Sequence, residues 1–192
     1  PTFSPEELEN ARTRTYIFGR SGGSDGLPWT VKNVDGAHMA DPRRLTTAPA
    51  QGDVEIWTIK GKGGWSHPVH IHFEEGKVLS RGGKPPPLWE KYGRKDVYRI
   101  GRMADSSLEV VLAMRFREFA GSYMEHCNNT THEDNAMLVR WDIEHPGQVK
   151  LMPTPQPTWS GVGYVDSFAL HHFRVGDDEL VEPPVAMNDA FT

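Results

Sequence analysis

The chain has 192 residues, 37% of them apolar and 24% charged, with a formal net charge of −5. These values supply the core of one packed domain, exclude bulk disorder, and argue against a nucleic-acid partner, which needs clustered Lys and Arg. One cysteine excludes an intramolecular disulfide and a multi-thiolate zinc site, and no apolar run is long enough to span a bilayer.

Nineteen glycines and 15 prolines favour short strands and turns over long helices. Within an N-terminal arm, residues 1–14, Pro5–Arg12 predicts a short helix with Ser4 as N-cap and Pro5 as its first residue. Thr15–Gly19 reads as a strand, and Gly22 to Pro28 as a turn. Trp29–Val34 is a second strand, ended by Asp35-Gly36. Asp53–Lys60 alternates in the strand period, and so does His67–Phe73 after a glycine turn at 61–64. Gly82-Gly83 and three consecutive prolines break up Gly76–Gly93, which predicts a loop-rich insertion or lid. Asp96–Gly101 and Ser107–Arg117 predict strands. Helix rivals strand over Leu108–Phe116, where Ala, Met and Arg favour it, but the β neighbours and short length favour strand. Gly121–Cys127 and Ala136–Ile143 complete an all-β sandwich or barrel over residues 15–146. The Pro-rich tail, 147–192, is expected to pack on that domain as an extension.

The chemistry is concentrated in two motifs. In His67-Pro68-Val69-His70-Ile71-His72, strand alternation points His70 and His72 the same way, and a bend at Pro68 would let His67 face the other. In the second motif, Cys127, His132 and Met137 form Cys-x4-His-x4-Met, with His126 just before the cysteine. One thiolate, two imidazoles and a thioether are the donors of a type 1 copper centre, so His67, Cys127, His132 and Met137 are expected to hold one copper. A Cys–His nucleophilic dyad explains neither the HPVHIH run nor the methionine. A zinc site from His70, His72 and His126 leaves Cys127 and Met137 unexplained. Asn128 and Asn129 could donate amide hydrogen bonds that tune the thiolate, although turn chemistry is the simpler reading for Asn129. Trp65 and Trp141 flank the motifs, and Glu74-Glu75 and Glu133-Asp134 lie beside them, as solvated groups or as a guide for a cationic donor.

HPVHIH followed by EHCNNTTHEDNAM, with GDVEIWTI and GSYMEHC upstream of each, resembles the C-terminal cupredoxin domain of multicopper oxidases, the family of laccase and bilirubin oxidase. The resemblance implies a cupredoxin-like Greek-key fold and the type 1 ligand roles just assigned. It also implies that His70 matches a type 2 copper ligand and His72 and His126 type 3 ligands. Two departures bear on activity. Position 128 is Asn where the family has a type 3 histidine, and the paired His-x-His motifs of an N-terminal domain are absent from this sequence. The expectation is therefore a type 1 copper electron-transfer domain in which His67 lies nearest solvent. The alternative is one part of an oxidase assembled from several chains, oxidising a phenolic or metal-ion substrate and reducing O2. A copper-storing domain with no redox partner is the reading from a different class. Expected partners are a small-molecule or metal-ion donor, N-terminal cupredoxin domains or further copies of the chain. The expected location is periplasmic or extracellular.

Overall fold

A computed structural model describes residues 2–20, 29–41, 44–62, 65–101 and 109–143, and beyond them the backbone of four short strands. The chain divides into two compact units, Pro1–Ile143 and Glu144–Thr192. In the second, Pro157–Thr158 pairs antiparallel with Gly163–Tyr164, and Phe173–Val175 with Glu179–Val181. The expected packing of the tail on the domain lies outside the described residues.

The first unit opens with a helix, Pro5–Asn10 (α1), started as anticipated. The Ser4 hydroxyl accepts from the Glu7 N–H, and the Glu7 carboxylate accepts from the Ser4 N–H. Two sheets follow, with strands numbered along the chain. One has the spatial order Gly36–His38 (β3), Thr30–Asn33 (β2), Arg12–Gly19 (β1), Val54–Gly61 (β5), Glu109–Arg115 (β9) and Lys77–Arg81 (β7). The other has the order Leu45–Thr47 (β4), Leu138–Ile143 (β11), Gly121–Cys127 (β10), Ser66–Ile71 (β6) and Val97–Gly101 (β8). From β5 to β10 each successive strand changes sheet, so the chain crosses repeatedly over one core in a Greek-key sandwich.

Strand alternation decides what that core contains. Glu55, Trp57 and Ile59 of β5 point inward, as do Val110, Leu112 and Met114 of β9. Each fully buried aliphatic side chain contributes about 1.5–3 kcal/mol. Glu55 is tolerated there because its carboxylate accepts two bonds from Arg14, at 2.6 and 2.7 Å, and one from the Trp57 indole at 2.8 Å.

Five elements differ from the sequence reading. β1 begins at Arg12, in continuous parallel register with β5, rather than at Thr15. The stretch read as an insertion contains β7, paired with β9, and a one-turn helix, Leu88–Lys91 (α2). Its glycines and prolines flank a five-residue strand too short to show a period of its own. β3 and β4 have only three residues each and depend on neighbouring strands for their hydrogen bonds. Residues 109–115 are strand rather than helix, as the β neighbours indicated.

Candidate metal centre

β6 lies between β10 and β8, and its alternation separates the histidines. His67, Val69 and Ile71 are buried, while Pro68 and His70 face outward. No bend is needed for this: Pro68 stays in the ladder opposite Arg99, and the odd spacing of 67 and 70 places them on opposite faces. Cys127 ends β10 opposite Val69, pointing inward, while its neighbour His126 pairs with His70.

Beyond Cys127 the chain turns into a short helix, Thr130–Glu133 (α3), which brings His132 back to the cysteine. Asn129 caps this helix, its side chain accepting the Thr131 N–H at 3.1 Å. The Cys127 N–H donates to the Met137 carbonyl, and the Met137 N–H to the His132 carbonyl. These bonds close the loop and leave Met137 fully buried.

The Cys127 Sγ lies 3.4 Å from Nδ1 of His67 and 3.4 Å from Nδ1 of His132, and the two nitrogens are 3.1 Å apart. The point equidistant from all three is about 1.9 Å from each, close to an ordinary metal–nitrogen bond of about 2.0 Å and shorter than a metal–sulfur bond of about 2.3 Å, so an ion would sit nearer the nitrogens. All three residues are buried, and the far nitrogen of His67, Nε2, is buried without a hydrogen-bond partner. Burial, followed by the neighbouring His132, lowers the His67 pKa to about 4, and burial also lowers that of His132. Burial pushes the Cys127 thiol up to about 11, against the opposing effect of a hydrogen bond from the Asn129 backbone N–H. Two neutral imidazoles and a neutral thiol therefore meet at neutral pH, and the thiol proton must leave when a cation binds. A thiolate with two imidazoles in a trigonal set, beside a buried methionine, suits copper.

The surroundings revise several expectations. Trp29, just before the first sheet's β2, stacks on His132 with ring centres 3.8 Å apart. Trp65 meets His132 edge-on at 5.6 Å and Trp29 at 5.5 Å. His67 is fully buried and does not reach solvent, contrary to the expectation; Trp65, 47% exposed, is the ring touching His132 that does. The Asn128 side chain is exposed, and its backbone N–H donates to the Pro68 carbonyl, so the sulfur's amide donor is Asn129. Trp141 packs in the core against Trp57, Phe116 and Tyr123. Glu74 is neither solvated nor available as a guide for a cation: it is buried and ion-paired to Arg117 at 2.8 Å.

The outward-facing histidines form a second group. Donor atoms of His70, His72 and His126 lie within 4.8 Å of one another, with the Nε2 atoms of His72 and His126 at 3.2 Å. The Asp96 carbonyl, 3.1 Å from Nδ1 of His70, fixes that ring and leaves its Nε2 available. The Glu133 carboxylate is 3.1 Å from Nδ1 of His126, although off the angle of a hydrogen bond. Burial, then His70 and His126, lowers the His72 pKa. Trp29 and Asp96 escaped sequence reasoning because they come from segments that precede other strands and carry no local motif.

A family model described as multicopper oxidase matches residues 13–146. A bilirubin oxidase of Albifimbria verrucaria is 37% identical over 133 residues, 67% of this chain and 22% of that protein. A laccase of Haloferax volcanii is 33% identical, over 57% of this chain and 18% of that protein. The crystal structure of a multicopper oxidase from Pediococcus acidilactici matches with a TM-score of 0.62 at 25% identity, covering 79% of this chain and 30% of that one. The chain thus spans between about a fifth and a third of the length of these relatives.

Proposed function

Because the chain belongs to the multicopper oxidase family, a copper-dependent one, we propose that its first unit is a type 1 copper electron-transfer domain that accepts single electrons from a donor. His67, Cys127 and His132 would hold the copper, with the buried Met137 thioether as a further donor. When bound, the copper supplies reversible one-electron chemistry. The observation that carries the reading is the buried triangle of one sulfur and two imidazole nitrogens. The residues around it keep water out and hold the ligands still: Trp29 covers His132, and the Asn129 N–H holds the sulfur. Oxidised, copper-loaded protein is expected to show an intense thiolate-to-copper band near about 600 nm, and Cys127→Ser to abolish it. A blue Cys127→Ser protein would overturn the assignment. A copper-loaded wild type without the band would favour a storage role.

A second reading rests on the outward group. His70, His72 and His126 form an open half-site that histidines from other cupredoxin domains could complete, giving an oxidase that reduces O2. By the resemblance, one further ligand would be expected at position 128, which is Asn here. Copper counting separates the two: about one ion per chain supports electron transfer alone, and three or four support an assembled cluster. Under the first reading the donor is a small molecule or a metal ion, under the second a phenolic molecule or a metal ion, and under either the location is periplasmic or extracellular. Among the described residues no helix is long and apolar enough to cross a membrane.

A further inference from the structure

The edge of β1 is only half used. The hairpin partner β2 pairs with Ile17, Phe18 and Gly19, then turns away at Asn33, so among the described residues no strand pairs with Arg12–Tyr16 on that side. Which backbone groups this leaves open follows from one bond: the Lys62 N–H donates to the Phe18 carbonyl, so residue 18 points toward β5. Strand alternation then turns Thr13 and Thr15 the other way, with their N–H and C=O groups aimed outward. They open into a groove of about 530 Å³ lined by Arg12, Thr13, Thr15, Tyr16, Lys32 and Thr46 among others.

The groove is basic on a chain of net charge −5. The Arg14 charge is matched by buried Glu55, which leaves the exposed Arg12 and Lys32 to set its sign. Long unprotected strand edges invite pairing with another chain, and here the flanking cations select what can pair. A second copy would bring Arg12 and Lys32 against the same charges, which disfavours self-pairing. We propose that this edge is the docking site of an extended acidic segment of a partner polypeptide, which adds as a strand against Thr13 and Thr15. Main-chain hydrogen bonds would supply affinity, and carboxylates facing Arg12 and Lys32 would supply selectivity.

The test uses the full chain and a blocked synthetic peptide of alternating Glu and Val, about seven residues long, the length of a typical strand. Titration should show saturable binding, together with slowed amide exchange at Thr13 and Thr15. Thr15→Pro removes an edge N–H while sparing the β5 ladder, and should weaken binding about tenfold with β5 exchange unchanged. Lys32→Glu, on the exposed rim, should weaken the acidic peptide several-fold and let a Lys/Val peptide bind where the wild type does not. If Thr15→Pro does not fold, the Lys32→Glu reversal and the exchange pattern decide. The proposal falls if the acidic peptide does not bind, or if the wild type binds the Lys/Val peptide equally well. It also falls if the edge amides are protected instead by concentration-dependent self-association of the chain.

Discussion

Glu125 is the least comfortable residue in this core, and its cost is measurable. It lies two positions before Cys127 on the inward face of β10, fully buried, with neither carboxylate oxygen hydrogen-bonded. Burial raises its pKa to about 8, against 4.5 in an open chain. Below pH 4.5 the folded and unfolded states are both protonated and folding is unpenalised. Between 4.5 and 8 the unfolded chain ionises while the fold holds its proton, so stability falls as pH rises and then levels off. At about 1.4 kcal/mol per tenfold step, that gap comes to about 5 kcal/mol at and above pH 8, as an order of magnitude. His67 acts on the opposite flank. Its pKa is lowered from 6.5 to about 4, so the unfolded chain binds a proton first and stability falls as pH drops from 6.5 toward 4. The two ranges overlap, so in metal-free wild type the opposing slopes should largely cancel between about pH 4.5 and 6.5, with stability falling above that plateau through Glu125 and below it through His67. Glu125→Gln, nearly the same shape without the charge, should lose the alkaline fall and keep the acid one. Urea unfolding from pH 4 to 9, on protein stripped of metal, measures both flanks. The reasoning is refuted if the wild type and Glu125→Gln show the same slope between pH 5 and 8.

Three further outcomes follow from the same physics. Cobalt(II) binding at pH 7 should release about one proton per thiolate–cobalt band formed, because Cys127 must ionise while His67 and His132 are already neutral; calorimetry in buffers of different ionisation enthalpy counts it, and zero or two would contradict the assigned protonation states. Glu55→Ala removes the acceptor for three charge-assisted or indole hydrogen bonds and should cost about 3–5 kcal/mol in denaturant unfolding, more than Arg14→Leu combined with Glu55→Leu. Leu112→Ala opens a cavity at a fully buried site in β9 and should cost about 2–5 kcal/mol, with the midpoint shifted and the denaturant slope unchanged.

Much of this molecule is legible in one dimension because its chemistry is local. Cys127, His132 and Met137 fall within eleven residues, and His67, His70 and His72 lie on or just after one strand, so spacing and alternation alone bring out the candidate donors and divide them between two faces. The capping box at Ser4 and Glu7 and the strand period of Val54–Gly61 are equally local. The tertiary structure decided what depends on atoms brought from elsewhere in the chain. Trp29 arrives from the opposite sheet to cover His132, and burial hides the His67 ring that spacing alone would leave free to meet solvent. Asp96 from β8's approach orients His70, and Arg14 from β1 makes a carboxylate tolerable on the inward face of β5. Short strands such as β3, β4 and β7 exist because a neighbour supplies their hydrogen bonds, and among the described residues half of β1 lies open because β2 stops supplying them. The candidate donors are written in residue type and spacing. Exposure, protonation and pairing are properties of what surrounds a residue, and only the fold specifies those.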